Sequence, residues 1–344
     1  MVAEQHGDEC MSRWYIKDAG STFLEPLSDL RASFECRNGG LTILERLVRE
    51  RGSEPSGFVC EDVNRGEMIA HRTGLAFDNN PDGEVVEHDS MTLWSLLDSL
   101  PELLKSDLEC AGEFERCSEL RIIGTHRVDV HNSATVYPNV VFDATNGAIR
   151  VEENVTIKAG AVITGPCWIS QGSTLSEQAV VKANTVIGPV CKIGGEVGGT
   201  IFQGYANKVH DGHLGDSIVG EWVNLGAGTT NSNLLNTYGE IIIKDLNVKR
   251  HKTGRSYVGC FIGDHVKTAI CTRIMTGTII GTGAMIASSM PVPSPTSRFA
   301  WITDGGVRSY NIEKFVAVAK TVMERRNKTL HASIEAVIRQ LASE

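Results

Sequence analysis

The sequence predicts a mainly-β protein built around a parallel β-solenoid of hexapeptide repeats, preceded by a small α/β segment and followed by C-terminal helices. Three observations predict it. Stepping by six from Val151 meets Ile157, Ile163, Ile169, Leu175, Val181, Ile187 and Ile193, all aliphatic. A second register, Val155, Ala161, Cys167, Ser173, Ala179, Thr185, Cys191 and Val197, is uniformly small or β-branched. Both registers return at Ile262, Thr268, Ile274, Ile280 and Ile286, with Cys260, Val266, Thr272, Thr278 and Ala284 beside them. A period of six is a multiple of the strand period of two and not of the helical 3.6, so short strands joined by tight turns satisfy it. Each such strand buries one large aliphatic, and Gly or Asn supplies the turn, as in "SQGSTL" and "KANTVI".

Residues 1–120 form the predicted α/β segment. "GLTILERLVRE" and "MTLWSLLDSLPELLKSDLE" are helical in spacing, the second with Asp89 or Ser90 as its N-cap, whereas "PSGFVCED" and "GEMIAHRTG" look like short strands. The solenoid is expected over 121–290. Its stepping fails over 199–213 and 230–257 and is partly restored between them by Leu214, Val219 and Leu225. Such interruptions predict loops on one face, where binding residues collect. After Ile286 comes the proline-rich "SSMPVPSPTSRFAW", and residues 291–344, which take in most of that crossing, end in one or two amphipathic helices, with Ile312, Phe315, Val316 and Val322 as the buried stripe.

Composition limits the function classes. With 41% hydrophobic and 22% charged residues the 344-residue chain has an ordinary globular balance. A net charge of −9, with basic runs no longer than Lys249-Arg250 and Arg325-Arg326, argues against nucleic acid or an anionic membrane as partner. The opening "MVAEQHGDEC" is polar and acidic, unlike a signal peptide, and no window has the roughly 18 apolar residues of a membrane span, so a cytoplasmic location is expected. The nine cysteines form no CxxC pair, and several fall on inward positions of the repeat, which reads as reduced core thiols.

The chemistry-bearing stretch is "NKVHDGHLGD", residues 207–216, within the first break. Three readings are open on its residues alone. His210 and His213 are metal ligands at i, i+3; or they belong to a polar Asp-Gly turn; or one of them is a catalytic base. A third metal ligand is lacking nearby, because His251 and His265 lie beyond the second break, and no metal site is expected.

The surrounding text, "GGEVGGTIFQGYANKVHDGHLGDSIVGEWVNLGAGTTNSNL", resembles the acetyltransferase domain of the bifunctional N-acetylglucosamine-1-phosphate uridyltransferase / glucosamine-1-phosphate acetyltransferases. That resemblance implies a left-handed β-helix assembled as a homotrimer. It also implies acetyl-CoA as acyl donor with no tightly bound cofactor, and an amino sugar or its 1-phosphate as acceptor. By the same resemblance His210 is the base and Glu196 its acidic partner. His213, Asn224 and Asn233 face the substrate, and Ala227, Ile270 and Ser288 line acetyl-CoA. The roles agree with the chemistry, since an amine attacking a thioester must lose a proton and imidazole titrates near neutral pH. A carboxylate partner fixes the ring tautomer, and the turn amides of "GAGTT" suit the thioester oxyanion.

The sequence departs from the family where basic residues hold the sugar phosphate: Gly198 and Gly199 follow Glu196, and Leu234 follows Asn233. Lys208, Lys252, Arg255 or a neighbouring chain would have to compensate. The N-terminal "DAGSTFLEPLSDLRASFECRNGGLTILERL" resembles a branch of sugar nucleotidyltransferases, but about 120 residues before the first coil imply a shortened or degenerate remnant. Two alternatives to acetyl transfer follow. One is nucleotidyl transfer to a sugar 1-phosphate by the N-terminal segment, the only reading that needs Mg2+. The other is a non-catalytic trimer that binds sugar nucleotides.

Overall fold

The structure is a computed structural model, and residues 13–20, 22–88, 91–114 and 120–344 are described. Parallel strands of two to four residues, from Arg121–Gly124 to Ala300–Thr303, stack into a β-solenoid with three faces. The first face runs from Arg121–Gly124 to His213–Gly215 and continues through Thr230–Asn231 and Arg273–Ile274. The second runs from Val128–Val130 to Thr278–Ile280 in eight strands. The third runs from Thr135–Val136 to Asn207–Lys208 and resumes at Lys267–Thr268, Met285–Ala287 and Ala300–Thr303.

The sixfold stepping explains the stack. All eight aliphatics from Val151 to Ile193 are fully buried, as are the eight small residues of the second register. Corners turn on residues of positive φ that also recur at multiples of six, Asn154, Gly160, Gly172, Gln178 and Asn184, and all but Gln178 are of the types enriched where the backbone enters the left-handed region. Cys167, Cys191 and Cys260 lie among these core residues as free thiols, with burial pushing the latter two up to about 12.

The coils run beyond the stretch that the stepping marks. Residues 199–213 do not leave the solenoid, because Ile201–Phe202 and Asn207–Lys208 pair with the coils on either side. The stepping fails there because coil length changes: Leu175 pairs with Ile193, but Ile193 pairs with Lys208, only fifteen residues on. The second break does extrude, as an antiparallel hairpin of Ile242–Lys244 against Arg250–Lys252. Within the proline-rich crossing, Ala300–Thr303 adds one more parallel strand to Met285–Ala287.

In the N-terminal segment β1 (Trp14–Lys17) lies between β2 (Gly57–Val59) and β3 (Glu84–Val86), parallel to both. Helices α1 (Ile43–Arg51), α2 (Val63–Thr73) and α3 (Leu93–Cys110) accompany the sheet. The stretch "GEMIAHRTG" is part of α2 and not a strand. Asp62 caps that helix by accepting from the Arg65 N–H, left-handed Gly74 closes it, and Gly66, Met68 and Ile69 share its buried face. Asp89 and Ser90 lie outside the described residues; α3 is capped by Thr92, which accepts from the Ser95 N–H. At the C-terminus α4 (Ile312–Glu324) buries Phe315, Val316, Ala319 and Met323, with Ile312 and Val322 at the margin, and α5 (Ala332–Ser343) follows.

The flanks cover the second face. Outward residues Trp168, Val186, Ile201, Ile218, Phe261 and Ile279 share one apolar cluster with α1–α5. Arg31 reaches Asp264 at 2.6 Å and Arg298 reaches Asp29 at 2.7 Å across this contact. The corner between the third and first faces therefore stays open, and "VHDG" turns there.

Candidate active site

Turn length builds the site. Between Ile193 and Glu196 the chain needs only Gly194 and Gly195 to pass from the third face to the first. One coil on, between Lys208 and His213, it uses Val209, His210, Asp211 and Gly212. The longer turn overhangs the shorter, and His210 is exposed at its tip. The next coils keep four residues, Gly226–Thr229 and then Ala269–Thr272. Gly228 N–H donates to the Asp211 carbonyl and Cys271 N–H to the Ala227 carbonyl, which locks the turns in register. His210, Ala227 and Ile270 thus stack along one ridge, and the pairing of Thr268 with Ile286 places Ser288 next above. The structure brings together four residues that span 79 positions of sequence, from His210 to Ser288.

The ridge carries free donors. Gly226 N–H bonds Thr268 Oγ1, and the Gly228, Thr229 and Thr230 amides are likewise engaged. Among the described residues the Ala227 N–H makes no hydrogen bond, nor does that of Ile270, whose side chain is 71% exposed. Ser288 Oγ donates to Asp304 at 2.8 Å.

On the first face, beside the ridge, lies a polar cluster. Glu196 and His213 are register partners, and His213 Nδ1 is 3.2 Å from Glu196 Oε1. Lys182 also bonds Glu196; its ammonium, and more weakly His213, hold that carboxyl below its ordinary value. Asn233 Nδ2 donates to Asp216 at 2.6 Å, and burial raises the Asp216 carboxyl. The floor is glycine: a Cβ at Gly215 would meet His213 Nε2 at 2.6 Å and Asn233 Nδ2 at 2.8 Å, and one at Gly198 would stand 3.0 Å from Lys182 Cβ.

This geometry revises the expected partnerships. Among the described residues the Glu196 carboxylate bonds His213 and Lys182 and not His210, because register sets residues 196 and 213 side by side while His210 is bulged to the corner. The His210 imidazole makes no hydrogen bond or ion pair among the described residues. Asn224 is exposed on the third face, where Asn207 Nδ2 lies 3.4 Å from its Oδ1, so Asn224 and Asn233 flank the ridge from opposite sides. Lys208 is buried and Arg255 is held by Asp98 at 2.5 Å, so neither stands in the cluster as a free cation. The cation that does stand in the cluster is Lys182, and it is paired with Glu196. It is legible in the sequence one coil below Gly198, beside the inward Val181. Among the described residues no group of three or more His, Cys, Asp or Glu is placed to hold a metal ion.

The carboxyl ends of β1–β3 surround a cavity of about 480 Å³ lined by Lys17, Asp18, Glu61, Asp62, Arg65 and Glu87, among others. Its cations are engaged: Arg65 by Asp18 at 2.5 Å and Lys17 by Glu87 at 2.7 Å. Parallel sheets bind nucleotides at this end, but four carboxylates against two paired cations do not suit a triphosphate.

No protein-family model matches the chain. It is 35% identical over 142 residues to the bifunctional sugar-1-phosphate nucleotidylyltransferase/acetyltransferase of Sulfurisphaera tokodaii, covering 41% of this chain and 35% of that protein. It is 32% identical over 153 residues to the bifunctional protein GlmU of Methanococcus aeolicus, covering 44% of this chain and 36% of the relative. The matched region therefore spans about a third of the length of these relatives. Among solved structures, a mutant perosamine N-acetyltransferase from Caulobacter crescentus in complex with CoA and GDP-perosamine aligns over 87% of this chain and 97% of its own, at 12% identity and a TM-score of 0.19. By its repeats and its relatives, the chain is a hexapeptide-repeat β-helix protein similar to the bifunctional sugar-1-phosphate nucleotidylyltransferase/acetyltransferases.

Proposed function

We propose that the protein is an acetyl-CoA-dependent N-acetyltransferase acting on an amino sugar or amino sugar 1-phosphate. The observation that carries this reading is the ridge, in which an exposed imidazole shares one open corner with two unengaged backbone amides. The amine nitrogen attacks the thioester carbonyl carbon while His210 takes its proton. The Ala227 N–H receives the developing oxyanion, a fixed donor of the kind that contributes most to acyl transfer. The C–S bond then breaks, the imidazolium returns its proton to the departing thiolate, and the products are CoA and the N-acetyl sugar. Ile270 and Ser288 continue the ridge on the acyl-donor side. Asn224 and the Lys182, Glu196, His213 and Asn233 cluster receive the acceptor, and Lys182 offers a cation to an anionic substituent such as a phosphate.

Among the described residues His210 has no orienting partner, which accords with a homotrimer in which a neighbouring copy completes the site. A solution mass three times that of the chain is the expected result.

The test is a thiol-release screen of acetyl-CoA against amino sugars and their 1-phosphates, alongside calorimetric titration with CoA. Saturable release with at least one acceptor is expected; a flat CoA titration with no release sinks the reading and favours a non-catalytic binding protein. Pyrophosphate release from UTP or dTTP with sugar 1-phosphates is expected to be nil, given the paired cations at the β1–β3 cavity. For Glu196→Gln the acceptor KM is expected to rise about tenfold, or about 1.4 kcal/mol. The melting temperature should hardly move, since exposed ion pairs contribute about 0–1 kcal/mol. A loss confined to kcat would instead return Glu196 to the proton-transfer machinery.

A further inference from the structure

One inward column of the solenoid reads Ile157, Leu175, Ile193 and then Lys208. The lysine is 2% exposed, in a position where the coils below place an aliphatic. Among the described residues its ammonium has no ion pair; it donates to the Gly194 carbonyl at 2.9 Å and to the His210 carbonyl at 3.0 Å. The charges that bear on it are Asp211 in the same turn and Glu196 in the coil below, and they do not offset burial, which draws the amine down to about 8. A buried cation with only neutral partners costs several kcal/mol relative to water, and a methionine or leucine would avoid that cost.

The two bonds of Lys208 show what an aliphatic residue there would lack. They join the two-residue turn Gly194–Gly195 to the four-residue turn Val209–Gly212 above it, where the chain changes from the shorter turn to the longer. The fit is close: a Cβ at Gly194 would meet the Val209 carbonyl oxygen at 1.9 Å, and one at Gly195 would meet the Lys208 ammonium at 2.9 Å. Among the described residues nothing bonds the His210 ring, so the backbone at His210 is what fixes its aim.

We propose that Lys208 is a positioning residue that sets the direction of His210 from inside the solenoid by tying the His210 carbonyl to the turn below. The inference rests on the reading of His210 as the base in acetyl transfer. A displacement of about 1 Å at a reacting group costs about 10²-fold in rate, and freeing the overhanging turn permits one of that size.

The test is Lys208→Met in the full chain, assayed with acetyl-CoA and the best acceptor from the screen, with CoA titration and thermal melting alongside. Expected are a fall in kcat of about 30- to 100-fold, an acceptor KM and CoA affinity within about twofold of wild type, and a melting temperature unchanged or higher. A structural lysine gives the opposite pattern, a lower melting temperature with kcat per folded molecule preserved. Lys208→Gln, which keeps an uncharged N–H donor group, should recover part of the lost kcat, and it decides the matter if the methionine variant does not fold. An active wild type with both variants within threefold of its kcat overturns the positioning role alone. A wild type that releases no thiol with any acceptor overturns the acetyl-transfer reading and this inference with it.

Discussion

His210→Ala is expected to lower the rate of acetyl transfer by about 10²- to 10⁴-fold, the usual contribution of a general base, without a change in assembly or melting temperature. The second half of that expectation comes from the structure. His210 lies exposed at the tip of a four-residue turn, and among the described residues its imidazole makes no hydrogen bond or ion pair whose loss would destabilise the coil. Initial-rate thiol release with a thermal melt checks both halves. His213→Ala separates the two histidines. That ring belongs to the Glu196–Lys182 cluster, so its removal is expected to weaken acceptor binding more than it slows the chemical step. If His213→Ala abolishes kcat while His210→Ala keeps it, the base is His213 with Glu196 as its orienting carboxylate, a pair that the structure already brings to 3.2 Å.

The largest effect on stability is expected at Arg31. This side chain is 1% exposed and carries a positive charge from the N-terminal segment into the solenoid, 2.6 Å from Asp264 and 3.8 Å from Glu221. Arg72 completes the group by bonding Glu35 and Glu221. Arg31→Ala leaves Asp264 buried beside a cavity without its direct partner, and breaking a buried pair in this way costs about 3–5 kcal/mol. Urea unfolding should show the fall in midpoint, and an unchanged midpoint would show that the N-terminal segment is not fastened through this pair. The double variant Arg31→Met with Asp264→Leu should recover much of the loss, since replacing both charges removes the unpaired one. Acid acts on the same group. Burial alone would raise the Glu221 carboxyl, but Arg72 and Arg31 outweigh it and hold Glu221 well below its ordinary value, whereas burial keeps its neighbour Asp264 raised. A carboxyl lowered in the folded state contributes stability that is complete above the unfolded value near 4.3 and is lost as pH falls through the lowered folded value. Acid unfolding in that window should therefore become shallower in Arg31→Met.

Legibility in the sequence varied with how local the cause is. The aliphatics from Val151 to Ile193 face inward because a coil buries one large side chain per strand, and a burial requirement repeated every six residues is readable without coordinates. Helices α1 and α3 were readable for the same reason, whereas the apolar positions of "GEMIAHRTG" suit a strand or a helix, and the cap at Asp62 with the left-handed Gly74 decides for the helix. The stretch 207–216 was recognisable as the candidate site, but its internal partnerships were not. Glu196 lies fourteen residues before His210 and seventeen before His213 in the chain, and no spacing rule prefers one to the other.

By itself the sequence determined the repeat, the inward registers, helices α1, α3, α4 and α5 and the candidate stretch 207–216, because each depends on the burial or turn preference of neighbouring residues. The tertiary structure alone decided which coil is fifteen residues long, where a two-residue turn gives way to one of four, and so which side chains meet. Those unequal turns bulge His210 onto the ridge with Ala227, Ile270 and Ser288, pair Glu196 with His213, lay Lys182 over Gly198 and point Lys208 inward. A contact between coils depends on the summed length of chain between its partners, and an insertion of two residues in a turn shifts every such partnership beyond it while leaving the local pattern intact.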